Sequence, residues 1–175
     1  YTKWVDGRND KSLEFDGVSN YVDCGDDDSL VNIYEANTFA LWVKIGSAYD
    51  IERFIMSKGN QRPALDFYDS RFAWTVNGGV SYLFSVTYPE LDTWYHLTGT
   101  YDGTTAKIYV NGQLENNVDV VSSADIGNLY IATYSTGISR FFNGQIDDAR
   151  IYNRALTEDE IRFLYQRGLE YHVNR

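Results

Sequence analysis

The stretch TWYHLTGTYDGTTAKIYVNGQLE (Thr93–Glu115) reads as consecutive strands that turn at Asp102-Gly103 and again at Asn111-Gly112. Asp-Gly and Asn-Gly accept the positive φ that a tight hairpin turn demands, so the flanking strands run antiparallel. The pattern continues outward. RFAWTVNGGVSYLFSV (Arg71–Val86) is a second strand pair, around Asn77-Gly78-Gly79. RFIMSKG (Arg53–Gly59) and ALDFYD (Ala64–Asp69) form a hairpin around NQRP. NTFALWVKIG (Asn37–Gly46) alternates, with Phe39, Leu41, Val43 and Ile45 on one face and Trp42 and Lys44 on the other. SLEFDG, NYVDCG, NLYIATY and QIDDARIYN complete the set. Roughly ten to thirteen short strands, with turns about every 8–12 residues, predict an all-β antiparallel sandwich or barrel.

One helix stands apart. In LTEDEIRFLYQRG (Leu156–Gly168), Thr157 is a natural N-cap and Glu160, three residues on, completes a capping box. Ile161, Leu164 and Tyr165 form its apolar stripe, and Arg167 and Gly168 mark its end. The acids at Glu158–Glu160 therefore serve the helix start rather than catalysis.

The chain of 175 residues suits one domain, 1–175, with a sizeable core. Aromatics make up 16% and the net charge is −10, which argues against a basic surface for nucleic acid or anionic membrane. No apolar run approaches the ~20 residues of a membrane span. The single cysteine, Cys24, forms no internal disulfide and reads as a small half-buried hydrophobe. No signal peptide reads at the start; a chain opening at Tyr1 reads as a mature form or an excised module.

Taken in order, SLEFDGVSNYVDCG, FALWVKI, TWYHLTGTYDGTTAKIYVNGQLE and FNGQIDDARIYNRALTEDEI resemble the LamG-like jelly-roll domains of the concanavalin A-like lectin and glucanase superfamily. The resemblance covers roughly residues 10–167. It implies two curved antiparallel sheets packed face to face. It also implies a binding module, often attached to a secreted polysaccharide-degrading enzyme or a surface protein, and often a structural calcium ion. The expected setting is secreted, extracellular or at the cell surface.

Calcium takes six to eight oxygen ligands. The FDGVSN turn offers Asp16, Asn20 and freed carbonyls; strand alternation puts Asp147 with Ala149 and Ile151, facing inward, where a carboxylate needs compensation. By the resemblance, Asp16, Asn20 and Asp147 meet around the ion. The alternative is that Asp147 accepts backbone N–H bonds from the FDG turn without a metal. Asp148 faces the other way, beside Arg150 and Tyr152, and pairs with a base.

Glycosidases of the wider superfamily place their carboxylates in a Glu-x-Asp-x-x-Glu strand, and this chain has none, so catalysis is not expected. Saccharide binding through exposed aromatics is. Tyr68, Trp74 and Tyr82 lie off the core-facing register, with Asn60 and Arg62 at a hairpin tip as polar contacts, while Trp42 belongs to a shared motif and reads as structural. The expected partner is an oligo- or polysaccharide, bound by a non-catalytic module. The competing reading is a protein-interaction or adhesion domain.

Overall fold

The computed structural model describes residues 2–30, 33–47, 51–59, 63–76, 82–122, 127–134 and 139–170. Its thirteen strands form two antiparallel sheets. The seven-stranded sheet runs β1 (Lys3–Asp6), β2 (Lys11–Asp16), β13 (Asn143–Tyr152), β4 (Asn37–Ile45), β9 (Trp94–Tyr101), β10 (Thr105–Val110), β11 (Gln113–Asp119). The six-stranded sheet runs β3 (Val22–Asp23), β12 (Leu129–Ile131), β5 (Arg53–Lys58), β6 (Ala64–Tyr68), β7 (Arg71–Thr75), β8 (Tyr82–Phe84). A helix, α1 (Glu158–Glu170), follows the last strand. The expected sandwich and its C-terminal helix are both present.

The core lies between the sheets. Phe39, Leu41, Val43 and Ile45 of β4 all point into it, as their alternation requires. Opposite them stand Leu65, Phe67, Phe72, Trp74 and Leu83. Here one expectation fails. Trp74 is no ligand platform: it is fully buried, pairs in register with the core residues Leu65 and Leu83, and its Nε1–H donates to the Thr100 carbonyl at 3.1 Å. Its phase follows Phe72 and Val76, while Arg71, Ala73 and Thr75 take the other face. Gly99 makes room for it, since a Cβ there would stand 2.2 Å from Trp74 Cδ2.

The outer face of the seven-stranded sheet is covered by α1. Thr157 and Glu160 cap it reciprocally, at 2.9 Å (Thr157 N–H to Glu160 Oε2) and 3.3 Å (Glu160 N–H to Thr157 Oγ1). Ile161 docks with Tyr109 and Leu156. Trp42 lies beneath the last turn, its ring 5.6 Å from Tyr165. The helix runs two residues past Gly168, where the sequence suggested an end. The reason is packing: a Cβ at Gly168 would stand 2.3 Å from Trp42 Nε1, so this glycine lets the helix press on the indole.

Cys24, expected half-buried, is exposed. No described helix is long and apolar enough to cross a membrane.

Gly99→Ala drives a methyl into the Trp74 indole. It is expected to lower stability by about 1–3 kcal/mol or more, read from the urea midpoint at unchanged m. A variant as stable as the parent refutes the packing described for Trp74.

Candidate functional site

The residues expected to hold calcium do not converge. Asp16 ends β2, and its Oδ1 accepts the backbone N–H groups of Val18, Ser19 and Asn20 at 2.9, 2.9 and 3.0 Å. Burial pushes this carboxyl up, but the bonds from Ser19, Val18 and Asn20 together outweigh it and hold it at about 2. Along β13, Asn143 stands opposite Asp16 and Asp147 lies four residues further on, which is about 13 Å of strand. The inward orientation read for Asp147 is also corrected. A β-bulge falls between Asp147 and Arg150, so alternation breaks there. Ile146 and Ile151 pair with the core residues Val43 and Phe39, while Asp147 stands opposite Trp42 on the outer face. The Asn9 N–H donates to Asp147 Oδ2 at 2.6 Å. The donor to Asp147 is thus the β1–β2 turn rather than the FDG turn. Burial pushes the Asp147 carboxyl up, against the bond from Asn9. Among the described residues no group of three His, Cys, Asp or Glu could hold a metal ion. Asp148, at φ +48° in the bulge, takes both forks of Arg150 at 2.8 and 3.0 Å, the pairing its position suggested.

His96 lies under α1 as well, its ring 5.3 Å from Trp42 and 6.2 Å from Tyr165. Burial pushes it down to about 4; Asp148 pulls it up and Arg150 pushes it down.

The other sheet is different. No described helix or strand packs over the outer face of the six-stranded sheet, and its register can be read row by row. One row crosses four strands as Phe54, Asp66, Ala73 and Phe84. The next crosses all six as Asp23, Tyr130, Ser57, Ala64, Thr75 and Tyr82. Large rings stand at both sides and small side chains in the middle. On the β8 side, Tyr68, Tyr82 and Phe84 cluster with centroids 5.6–6.1 Å apart, and Arg71 lies 4.3 Å over Phe84. On the other side, Phe54 meets Tyr134 at 5.2 Å, with Arg140 packed on both rings and paired with Glu52. Tyr21 leans on Tyr130 and Phe141 at the far edge.

Asp66 occupies the centre. It is fully buried, and its Oδ2 accepts the Thr75 hydroxyl at 3.0 Å. Its Oδ1 has no hydrogen-bond partner. Burial pushes its pKa well above the ordinary carboxylate value, against the Thr75 bond.

Of the ligand residues expected from the sequence, the structure brings Tyr68 and Tyr82 together on this face and removes Trp74 to the core. Asn60 and Arg62 lie outside the described residues, as does Asn77. Asp66 was missed, though the signal was there: an Asp in mid-strand, where Asp is disfavoured, at a polar-phase position between Leu65 and Phe67.

The domain is thus a two-sheet sandwich with α1 over one outer face and aromatic clusters at the sides of the other. The family profile described as the concanavalin A-like lectin/glucanases superfamily matches residues 16–162, and the chain belongs to this family. Three solved structures are similar. The binding domain of Paraclostridial Mosquitocidal Protein 1 superposes with a TM-score of 0.78 at 18% identity, over 94% of this chain and 45% of that one. Domain 4 of AbnA, a GH43 extracellular arabinanase from Geobacillus stearothermophilus, in complex with arabinotriose, gives 0.72 at 18% identity, over 95% and 82%. A Trypanosoma rangeli sialidase in complex with sialic acid gives 0.70 at 19%, over 88% of this chain and 27% of that one. At these identities the likeness is one of fold. The chain spans under half the length of the mosquitocidal and sialidase chains. No curated protein matches its sequence.

Two outcomes follow from the site geometry. Asp16→Ala is expected to cost about 1 kcal/mol through the lost turn bonds, equally in EDTA and in calcium; a loss seen only in calcium restores the ion site. The folded pKa of His96, about 4, lies below its unfolded value near 6.5. The unfolded chain therefore takes up the proton first as pH falls. This residue's contribution to stability is complete above ~6.5 and declines between ~6.5 and ~4. Thermal melts should show a smaller fall over that window in His96→Gln than in the parent; parallel curves refute the burial of a neutral imidazole.

Proposed function

We propose that this domain is a non-catalytic carbohydrate-binding module of a secreted or cell-surface protein, and that it holds its saccharide on the outer face of the six-stranded sheet. The observation that carries the reading is the contrast between the two outer faces. One is sealed by α1 over Trp42 and Tyr109; the other presents Tyr68, Tyr82 and Phe84, all partly exposed, beside a buried strip of small residues. Sugar rings lay their apolar C–H faces on such aromatic planes, and a few well-placed polar groups then orient the hydroxyls. The arabinanase domain in complex with arabinotriose lends support, as a similar fold in a saccharide complex.

Binding rather than hydrolysis fits the carboxylates present. Glycoside hydrolysis uses two facing carboxyl groups. Asp66 has Thr75 for its partner, and Glu52 is held by Arg140. Calcium is not part of this reading, because the residues expected to bind it do not meet. Attachment to a catalytic domain fits the extracellular arabinanase, of which the similar structure is one domain.

The test is a glycan array followed by calorimetry on the strongest ligand. Tyr68→Ala and Tyr82→Ala are each expected to weaken binding roughly tenfold or more, equivalent to about 1.4 kcal/mol, with melting temperatures near that of the parent. A domain that binds no glycan but captures a protein ligand through this face is an adhesion module, and the carbohydrate reading falls.

A further inference from the structure

We propose that Asp66 is the anchoring residue of this face and that it selects uncharged saccharides over acidic ones; the inference rests on the carbohydrate-binding reading above. The only hydrogen bond this carboxyl makes among the described residues is the one it accepts from Thr75. Asp66 is completely buried, and its register neighbours are Phe54 and Ala73. One oxygen is bonded to Thr75; the other has no partner. Buried polar atoms without partners are rare and costly, and a carboxyl is among the most costly. Two other buried charged side chains are matched by ions, Glu52 by Arg140 and Lys58 by Asp26, with the Gly127 carbonyl also on Lys58. Such a local violation of the packing rules is characteristic of functional positions.

What would complete Asp66 is a hydroxyl that donates to Oδ1. Its surroundings suit a sugar ring as the bearer. Ala64, Ala73 and Thr75 flank it with little bulk, and the rings of Tyr68 and Phe84 stand one position along its face and two strands away. Tyr68 and Phe84 are partly exposed, whereas Asp66, Ala64, Ala73 and Thr75 are closed off from solvent, so a sugar takes the place of whatever covers Oδ1.

The charge pattern sets the specificity. Among the described residues, the two wall arginines are engaged, Arg71 with Asp69 at 3.1 Å and with the rings of Phe84 and Tyr88, and Arg140 with Glu52. Neither is free to neutralise a sugar carboxylate brought up to Asp66. The chain's net charge of −10 adds to the repulsion. A sialic or uronic acid would set two carboxyl groups together in a dry site, whereas a neutral sugar forms the missing bond. Discrimination here comes from repulsion of the wrong ligand as much as from attraction of the right one.

The experiment compares the parent domain on one array of arabino-, xylo-, manno-, gluco- and galacto-oligosaccharides with sialylated and uronic-acid glycans. Calorimetry then follows on the best neutral ligand with Asp66→Leu, Asp66→Asn and Thr75→Val. The parent should bind neutral glycans at least tenfold more tightly than acidic ones. Asp66→Leu should lose at least tenfold in affinity while melting at or above the parent's temperature, because it removes a buried, half-satisfied acid. A merely structural Asp66 gives the opposite melting result. If Asp66→Leu does not fold, Asp66→Asn carries the same comparison. A folded Asp66 variant with parental affinity, lower melting in both Asp66 variants, or preference for acidic glycans overturns this inference and leaves carbohydrate binding standing. A parent domain that binds nothing on the array overturns both.

Discussion

Strand β4 is buried along nearly its whole length on both faces, and the arrangement of the molecule follows from that. Its Phe39–Leu41–Val43–Ile45 face is met by the second sheet. Its other face carries Trp42, which no exposed surface accommodates cheaply: an indole of this size buries apolar area on the order of 200 Å². The chain meets the demand by returning after β13 and laying α1 across Trp42, with Arg8 from the β1–β2 turn stacked 5.0 Å from the same ring. A single helix covers a single sheet. The asymmetry of the domain, with α1 over one sheet and not the other, is set by where that tryptophan sits.

Much of this was legible in the residues. Alternation in NTFALWVKIG fixes both faces of β4, and the Asp-Gly and Asn-Gly turns fix the β9–β10–β11 meander. The capping box at Thr157 places the start of α1. What escaped is equally specific. The bulge after Asp147 inserts one residue and reverses the expected direction of everything before it, and an Asp-Asp-Ala run gives no sign of where such an insertion falls. Trp74 was misjudged because a large aromatic invites a surface role, whereas its burial depends on Gly99, a partner on the opposite sheet some 25 residues later. Gly168 looked like a stop signal and is instead a contact, a distinction only the position of Trp42 decides.

The outer face of the six-stranded sheet shows why a site is harder to read than a fold. Fold signals are periodic and repeat over many residues. Asp66 is one residue, and its meaning depends on Phe54, Ala73 and Thr75, which two separate strand registers bring beside it. Single-sequence reading registers the oddity of a mid-strand aspartate but not that one of its oxygens is left without a partner.

The placement of α1 also sorts the two ends of the described chain. β1 forms the outer edge of the seven-stranded sheet and α1 lies across that sheet's outer surface, so both ends belong to one sheet. The Tyr68, Tyr82 and Phe84 cluster belongs to the other sheet. The chain ends and that cluster therefore share no strand pairing.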